Sequence, residues 1–291
     1  MRYNVADACA VTARPFYWEQ KINLESKKKM TMLGTLRKST VLGFLAAAFL
    51  TFAVTAQANN LVANGGFETT TNGANYQFES SHSNHPYTTA TGWTSTNSHH
   101  NAYNFIFSSG RADSTGATGQ SGNLKLWGPG TGSNNGLPAS SPDGGNYVAA
   151  DGAYQNGAIS QTINGLTVGD SYTVSFWWAG AQQSGFTGAT TEQWKVSFGS
   201  QTQSTAVVHN ASHGFTGWMQ DSFTFKADKT SDLLSFFAVG TPNGVPPFVL
   251  LDGVDLEANK TPTPEPGTLA LLGSGLLGGL GVLRSKKWFN R

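Results

Sequence analysis

Flat aromatic side chains are the residues of this chain that best fit a binding chemistry. Sugar rings stack on such faces while neighbouring amides and carboxylates bond the sugar hydroxyls. Trp177 occupies one of the polar positions in a run that alternates apolar and polar residues, and Trp127 lies in a loop rich in Gly and Pro. Both are therefore expected at the surface. The hypothesis is a glycan-binding surface formed by Trp127, Tyr154, Trp177, Gln182 and Gln183. The competing interpretation makes them ordinary surface aromatics and loop covers.

Paired carboxylates are the second chemistry to weigh, because glycosidases place two of them about 5–9.5 Å apart across a cleft. Most acidic residues of segment 59–260 fall in turns, and Asp151 and Glu192 are the least turn-like. A polysaccharide-active hydrolase or lyase is therefore the alternative function. A buried carboxylate pair in an open cleft would favour the enzyme. A smooth sheet face with one exposed aromatic would favour a binding module.

Other catalytic patterns are weak in this sequence. Gly169-Asp170-Ser171 precedes a strand and no G-x-S-x-G elbow occurs, which argues against a serine hydrolase. His209 and His213 have a zinc-like spacing but lie in a polar loop without a neighbouring glutamate. Cys9, the one cysteine, lies in the segment expected to be removed on export. We therefore expect no catalytic residues and no enzyme activity.

Charge is segregated along the chain. Segment 59–260 carries thirteen acidic and six basic residues, a net charge of 6 − 13 = −7, whereas both ends are basic. An acidic domain argues against nucleic acid as a partner, because phosphate binding needs clustered Lys and Arg.

The elements expected to position these side chains are short strands. Runs such as Ser171–Gly180 (SYTVSFWWAG) alternate apolar and polar residues and are separated by Gly, Asn, Asp and Pro clusters. This pattern predicts an all-β domain, an antiparallel β-sandwich (jelly roll), over 59–258. Trp178 and Trp194 share faces with Phe and Val in these runs and are expected in its core.

The N-terminal segment 1–58 has the parts of a secretory signal. Basic residues precede the apolar stretch 41–54, and Ala56-Gln57-Ala58 follows as a small-x-small site. We expect a signal helix that signal peptidase removes after Ala58. Its basic region is long, so the true start is expected at Met30 or Met32; a genuine N-terminal extension is the alternative.

The C-terminal segment combines a Pro-rich linker over 259–266 with an apolar run and a basic tail over 267–291. The apolar run predicts a transmembrane helix, and the basic residues after it are expected to stay cytoplasmic. The order Pro264-Glu265-Pro266, apolar run, basic tail resembles the PEP-CTERM sorting signal. The resemblance implies a Gram-negative bacterium that makes exopolysaccharide. It also implies an exosortase-type membrane protease that recognises the Pro-Glu-Pro region. The competing interpretation is a permanent C-terminal anchor.

Motifs spaced along segment 59–258 resemble the jelly-roll modules related to bacterial carbohydrate-binding modules. These motifs begin with Asn64-Gly65-Gly66-Phe67-Glu68 and end with Leu250-Leu251-Asp252-Gly253-Val254. The resemblance implies a structural Ca²⁺ site that joins the first and last strands, with carboxylates from Glu68 and Asp252. Gly253 stands where such modules usually carry a second acid, and the run 73–138 matches no module element. The alternative makes Glu68 a surface residue and Asp252 a turn acid.

Together these features predict an exported protein, tethered to the inner membrane as a precursor and then delivered to the cell surface or extracellular matrix. Its sandwich is expected to be non-catalytic, with a structural or glycan-binding role and exopolysaccharide as the expected glycan; a purely structural matrix protein is the third alternative.

Overall fold

The computed structural model describes residues 59–79, 84–97, 102–259 and 273–276. The expected signal helix, most of the Pro-rich linker with Pro264-Glu265-Pro266, and most of the apolar run lie outside the described residues. Residues 273–276 form one helical turn. Within the described ranges, no helix is long and apolar enough to cross a membrane.

The described chain contains fifteen strands. In order they are β1 (Tyr76–Phe78), β2 (Tyr87–Thr88), β3 (Thr94–Thr96), β4 (Asn104–Phe107), β5 (Ala117–Gly119), β6 (Gly122–Leu124), β7 (Tyr147–Asp151), β8 (Ala158–Asn164), β9 (Ser171–Gln182), β10 (Thr190–Phe198), β11 (Gln201–Ser204), β12 (Val208–Asn210), β13 (Met219–Lys226), β14 (Ser231–Thr241) and β15 (Pro247–Ala258). A short 3-10 helix spans Pro129–Thr131.

The strands form two sheets, which confirms the predicted all-β sandwich. The large sheet has the order β13-β9-β15-β7-β4-β1-β5-β6, with β2 added beside β1. The small sheet has the order β11-β10-β14-β8-β3, with β12 added beside β10. Pairing is antiparallel except between β1 and each of β2 and β5. The two sheets pack face to face through the alternating apolar residues of their long strands.

The core between the sheets follows directly from this alternation. On β9, Tyr172, Val174, Phe176 and Trp178 point inward and are at most 2% exposed. Trp194, Val196 and Phe198 of β10 meet them from the small sheet and are fully buried. Trp178 and Trp194 therefore pack in the core, as their phase in the sequence predicts.

A second apolar cluster covers part of the outer face of the large sheet. It joins outward-facing residues of β4, β7, β9 and β15 to residues of the run between β4 and β7. Members from that run include Ala112, Leu124, Leu126 and Leu137. The run 73–138, which matched no module element, thus supplies β1 to β6 and a layer over this face.

Candidate functional site

An uncovered area on the outer face of the large sheet lies where β13, β9 and β15 run side by side. Outward-facing residues on these strands are mostly polar because the inward positions hold the core. Cross-strand pairing aligns them in three rows: Gln220, Trp177 and Asp252; Ser222, Ser175 and Asp255; Thr224, Thr173 and Glu257. We call these nine residues the polar face; all of them except the buried Asp252 are at least partly exposed. Trp177 is its one aromatic side chain and is partly exposed.

Gly253 explains how the Trp177 ring fits beside β15. The register of β15 against β9 shifts between Asp252 and Asp255, and Gly253 has φ of +54° at this bulge. A methyl group on Gly253 would lie 3.0 Å from Cδ1 of Trp177 and 3.1 Å from Cβ of Asp143. A side chain at position 253 would therefore make unusually tight contacts with both residues, which would have to shift by a few tenths of an ångström. The departure from the module pattern at this position makes room for the Trp177 ring.

Three carboxylates approach one another next to the polar face. A methyl group on Gly66 would lie 3.1 Å from Asp143 Oδ2, 3.8 Å from Asp252 Oδ1 and 3.9 Å from Glu68 Cγ. Ser141 donates a short hydrogen bond from Oγ to Asp252 Oδ2. We call Glu68, Ser141, Asp143 and Asp252 the acidic cluster. Its members come from the first segment, the loop before β7, and the last strand.

Backbone geometry places Glu68 in the acidic cluster. Phe67 has φ of +57°, and its ring is fully buried against Trp93, with ring centroids 5.2 Å apart. The chain thus turns between Phe67, in the core, and Glu68, at the surface. Glu68 Oε1 accepts a hydrogen bond of 2.6 Å from the amide of Asn146, which fixes the carboxylate above the loop before β7.

Asp252 is the buried member of the acidic cluster. Its pKa is raised to about 8, chiefly by burial and in part by charge repulsion from Asp143 and Glu68, while hydrogen bonds from Ser141 and Gly253 oppose the shift. Its Oδ1 is buried without a hydrogen-bond partner. A bound cation would satisfy this oxygen and relieve the repulsion.

The acidic cluster offers oxygen atoms, which are the type of ligand that calcium prefers. Ca²⁺ takes six to eight oxygen ligands from carboxylates, carbonyls and water. Across the described ranges, no group of three or more His, Cys, Asp or Glu side chains is arranged to hold a metal ion. Glu68 and Asp252 would therefore be a minority of the shell, as the module resemblance implies. Hydroxyl, carbonyl and water oxygens would have to supply the remainder.

Trp127 lies apart from Trp177, at the end of β9. Its amide donates to the carbonyl of Gln182, and the neighbouring Leu126 bridges to Gln183. Its indole Nε1 donates to the carbonyl oxygen of Phe186 over 2.9 Å, and the His213 ring lies against it, with centroids 3.9 Å apart. The structure thus brings Trp127, Gln182 and Gln183 together and leaves Trp177 elsewhere on the sheet.

Gln182 and Tyr154 have different surroundings from one another. Gln182 is fully buried, and its side chain bonds the carbonyl of Gly188 and the amide of His213. Tyr154 is 46% exposed and packs edge-on against Tyr103, with centroids 5.3 Å apart. It follows β7, two strands away from β9, so about 10 Å of sheet separates the two strand ends.

The carboxyl groups of Asp151 and Glu192 lie on opposite sides of the large sheet. Val148 and Ala150 of β7 point into the core between the sheets. Ala149 and Asp151 alternate with them and therefore face the outer cluster. Glu192 points to the same side of β10 as Trp194 and therefore faces the interior. There, a methyl group on Gly180 would lie 2.8 Å from Glu192 Oε2. A sheet therefore separates these two acids, and they do not flank a common cleft.

Several residues at the site were missed by sequence reasoning. Ser141, Asp143, Gln220 and Asp255 are not among the site residues predicted from the sequence. Alternation within DSFTFKA and FVLLDGVDLE marks the outward positions of β13 and β15. The cross-strand register needed to align them with Trp177 is a tertiary property.

The family comparisons divide the chain into two matched segments. Residues 121–247 match the family described as "Protein of unknown function (DUF642)". Residues 262–287 match the PEP-CTERM protein-sorting motif, which confirms the resemblance found at this end. No curated protein matches the chain.

Similar solved structures include carbohydrate-binding modules and a phage protein. TmCBM61 in complex with beta-1,4-galactotriose is 16% identical, with 69% of this chain and 100% of that chain covered and a TM-score of 0.34. The CBM22-1 xylan-binding domain from Paenibacillus barcinonensis Xyn10C is 10% identical, with 70% and 97% covered and a TM-score of 0.33. The enzymatically active domain of bacteriophage CBA120 tailspike protein 4 is 11% identical, with 68% and 21% covered and a TM-score of 0.33.

These scores carry no inference about ligand or reaction. The family matches identify Trp127, Trp177 and Trp218 as part of the matched domain, whereas Glu68 and Asp252 fall outside it. Residues 121–247 thus match the DUF642 family, which covers less than half of the chain, and residues 262–287 match the PEP-CTERM protein-sorting motif.

Proposed function

We propose that this chain is an envelope or matrix protein of a Gram-negative bacterium whose β-sandwich binds glycan without catalysing a reaction. Signal peptidase and an exosortase-type protease would process its two ends, with transient residence in the inner membrane. The PEP-CTERM motif supports the export route. The polar face supports the binding role.

The observation that carries the binding role is the composition of the polar face. Trp177 is a single, partly exposed aromatic surrounded on three strands by amide, hydroxyl and carboxylate side chains. A flat ring offers stacking to a sugar face, and the flanking groups accept or donate to its hydroxyls. The strands hold these groups rigidly, which lowers the entropic cost of binding.

Affinity electrophoresis of the full-length chain in mild detergent tests the binding role. The gels would contain neutral glucan, xylan, mannan or galactan. We expect retardation in at least one gel and a loss of about tenfold in affinity for Trp177→Ala, since an aromatic contact is worth up to about 1.5 kcal/mol. Phe237→Ala is the matched control, because Phe237 is an aromatic on the small sheet that is 37% exposed.

Two results would contradict this function. Unretarded wild-type protein in every gel would remove glycan binding. Release of reducing ends from any of the four polysaccharides would replace the binding role with the hydrolase alternative.

We also propose that the acidic cluster binds calcium and that the ion stabilises the junction of the first segment with β15. The buried, unpartnered oxygen of Asp252 and the approach of Asp143 and Glu68 support this role. Calcium would act as a structural ion with no part in a reaction. Because the proton on Asp252 competes with the ion, calcium affinity should rise with pH up to about 8.

Melting curves test the calcium site. Adding EGTA should lower the melting temperature of the wild-type chain reversibly, and Asp252→Asn should make the melt insensitive to calcium. Asp170→Asn, in the exposed turn before β9, is the control. Identical melts in calcium and EGTA would contradict the site.

A further inference from the structure

We propose a second glycan-binding site around Trp127, separate from the polar face, so that one molecule bridges two polysaccharide chains. This inference rests on the proposed glycan binding and adds a second site and a bridging role. It is carried by the geometry of three loops that meet at the end of β9, the "loop-end site" formed by Trp127, Gln183, Phe186, Thr187 and His213.

The Trp127 ring is partly exposed and held in place by its neighbours. The His213 ring lies against it, with centroids 3.9 Å apart and planes inclined by 31°. The indole N–H is already bonded to the carbonyl oxygen of Phe186. The exposed part of Trp127 is therefore apolar ring surface, and Phe186 beside it is 37% exposed. Apolar ring surface stacks on the C–H face of a sugar.

His213 is fixed in this position by three side chains. Its φ of +62° is rare for a residue with a side chain. Its amide donates to Gln182 Oε1 over 2.7 Å, and its carbonyl accepts from Ser133 Oγ and Asn135 Nδ2 over 2.8 and 3.0 Å. Strained backbone held by several contacts is concentrated at binding sites. The stack on Trp127 is thus built before any ligand arrives.

Gln182 connects the loops of this site from below. Its buried amide donates from Nε2 to the carbonyl of Gly188, while Oε1 accepts from His213. The hydroxyl of Thr187 lies 3.2 Å from His213 Nε2 and joins the same network. Loops fixed in this way lose little freedom on binding, which favours affinity.

The loop-end site and the polar face are not one continuous groove. Trp177 and Gln182 are five residues apart on β9, or about 16 Å. The outward-facing residues between them and beside them, Ala179, Ala181, Phe248 and Leu250, are fully buried. Phe215 and Trp218 pack against this cluster, and the Trp218 ring meets Tyr147 with centroids 5.6 Å apart. A ridge of side chains therefore separates the two surfaces.

The charge of the domain selects the ligand class. Segment 59–260 carries thirteen acidic and six basic residues, so it repels polyanions. Stacking on Trp127 and Phe186 requires no charge on the ligand. The ligand chemistry that fits is a neutral hexose or pentose chain.

Titration calorimetry on the full-length chain in mild detergent tests the second site. The probes are short neutral oligosaccharides of glucose, xylose, mannose and galactose, too short to span both sites. At oligosaccharide concentrations that just saturate the wild type, we expect two bound oligosaccharides per chain in the wild type and one strongly bound oligosaccharide in Trp127→Ala or Trp177→Ala, whose altered site binds about tenfold more weakly. Both sites should be weakened in the double variant. Phe186→Ser tests the loop-end site without disturbing the Trp127–His213 stack, and it should weaken one of the two sites. Phe237→Ala should leave both sites intact.

Bridging is measured separately by light scattering of soluble polysaccharide. Wild-type protein should increase the particle size, and each single Trp variant should reduce the increase while keeping one strong site. A stoichiometry of one, with binding that Trp177→Ala weakens and Phe186→Ser leaves unchanged, would overturn the second site but preserve the function proposed above. Absence of binding by the wild-type chain would overturn both.

Discussion

At the scale of single residues, the sandwich contains carboxyl groups that are buried without full pairing. Glu192 is fully buried; its Oε1 accepts from Thr190 Oγ1 over 2.5 Å and its Oε2 has no partner. Burial raises its pKa to about 8, with the Thr190 hydrogen bond opposing the shift. The folded state therefore holds a proton at neutral pH that the unfolded state releases.

The pH dependence of stability follows from this proton. Because the folded pKa is raised from 4.5, the contribution of Glu192 is fully present below pH 4.5 and is lost as pH rises toward 8. The free energy of unfolding of the wild type should fall relative to Glu192→Gln by up to about 1.4 kcal/mol per pH unit in this window.

Urea unfolding at several pH values measures this difference. Asp170→Asn, which removes an exposed carboxyl group in the turn before β9, is the control variant. Curves for Glu192→Gln that run parallel to those of the wild type would contradict the prediction.

Gly253 gives a second prediction for a single residue. Gly253→Ala should destabilise the domain by about 1 kcal/mol or more, because the new methyl group meets Trp177 and Asp143 and the φ of +54° disfavours alanine. The Trp177 ring should move, which tryptophan fluorescence would report. Gly110→Ala, at a φ of +71° and with the nearest atom 4.0 Å from the new methyl group, is the control for the backbone effect. Equal losses for the two variants would mean that the tight contacts contribute nothing.

Prediction from sequence succeeded for residues whose environment depends on local alternation. The phase of Trp177 and Trp178 within one run places the first outside the core and the second inside it. The stack of His213 on Trp127 had no such signal. It depends on a left-handed residue and on loops distant in sequence, which pattern analysis does not bring together.

At the scale of elements, the outer edge of β13 is covered by side chains from β11. Gln201 donates from Nε2 to the carbonyl of Lys226 and accepts from its amide, and Gln203 donates to the carbonyl of Thr224. Unpaired strand edges promote association between molecules. These two glutamines therefore occupy hydrogen-bonding groups that would otherwise be open to another strand.

Removing both glutamines should expose this edge. The double variant Gln201→Ala, Gln203→Ala should self-associate with increasing concentration, as measured by sedimentation velocity. Ser204→Ala, on the same strand, should behave like the wild type. If the double variant stays in the same oligomeric state as the wild type, the glutamines do not protect the edge.

Long strands of the second half could be predicted from the sequence, but the strands of the first half could not. β9, β10, β14 and β15 have nine to twelve residues and show clear alternation. β1 to β6 have two to four residues, too few to show a period. Among these strands, β4 is fully buried and shows no alternation of apolar and polar residues, because both of its faces are covered.

At the scale of the whole molecule, the sorting motif predicts where the chain is cut. The motif over 262–287 predicts processing near Pro264-Glu265-Pro266, which would separate the sandwich from its apolar tail. Mass spectrometry of protein from its native cells, in cell-associated and medium fractions, should find mature chains that begin after Ala58 and lack Arg291. A mature chain that retains Arg291 would contradict processing at this site.

The central position of β15 has a consequence for the order of events during synthesis. This last strand pairs with both β9 and β7, and the first segment bonds to it through Leu61 and Asn60. A chain that emerges N-terminus first therefore cannot complete its large sheet until residue 258 is available. Only residues 259–261 then remain before the sorting motif begins. The large sheet is therefore completed no earlier than the emergence of the residues that directly precede the motif, and a protease that cut as soon as the motif emerged would act on a domain whose last strand had only just become available.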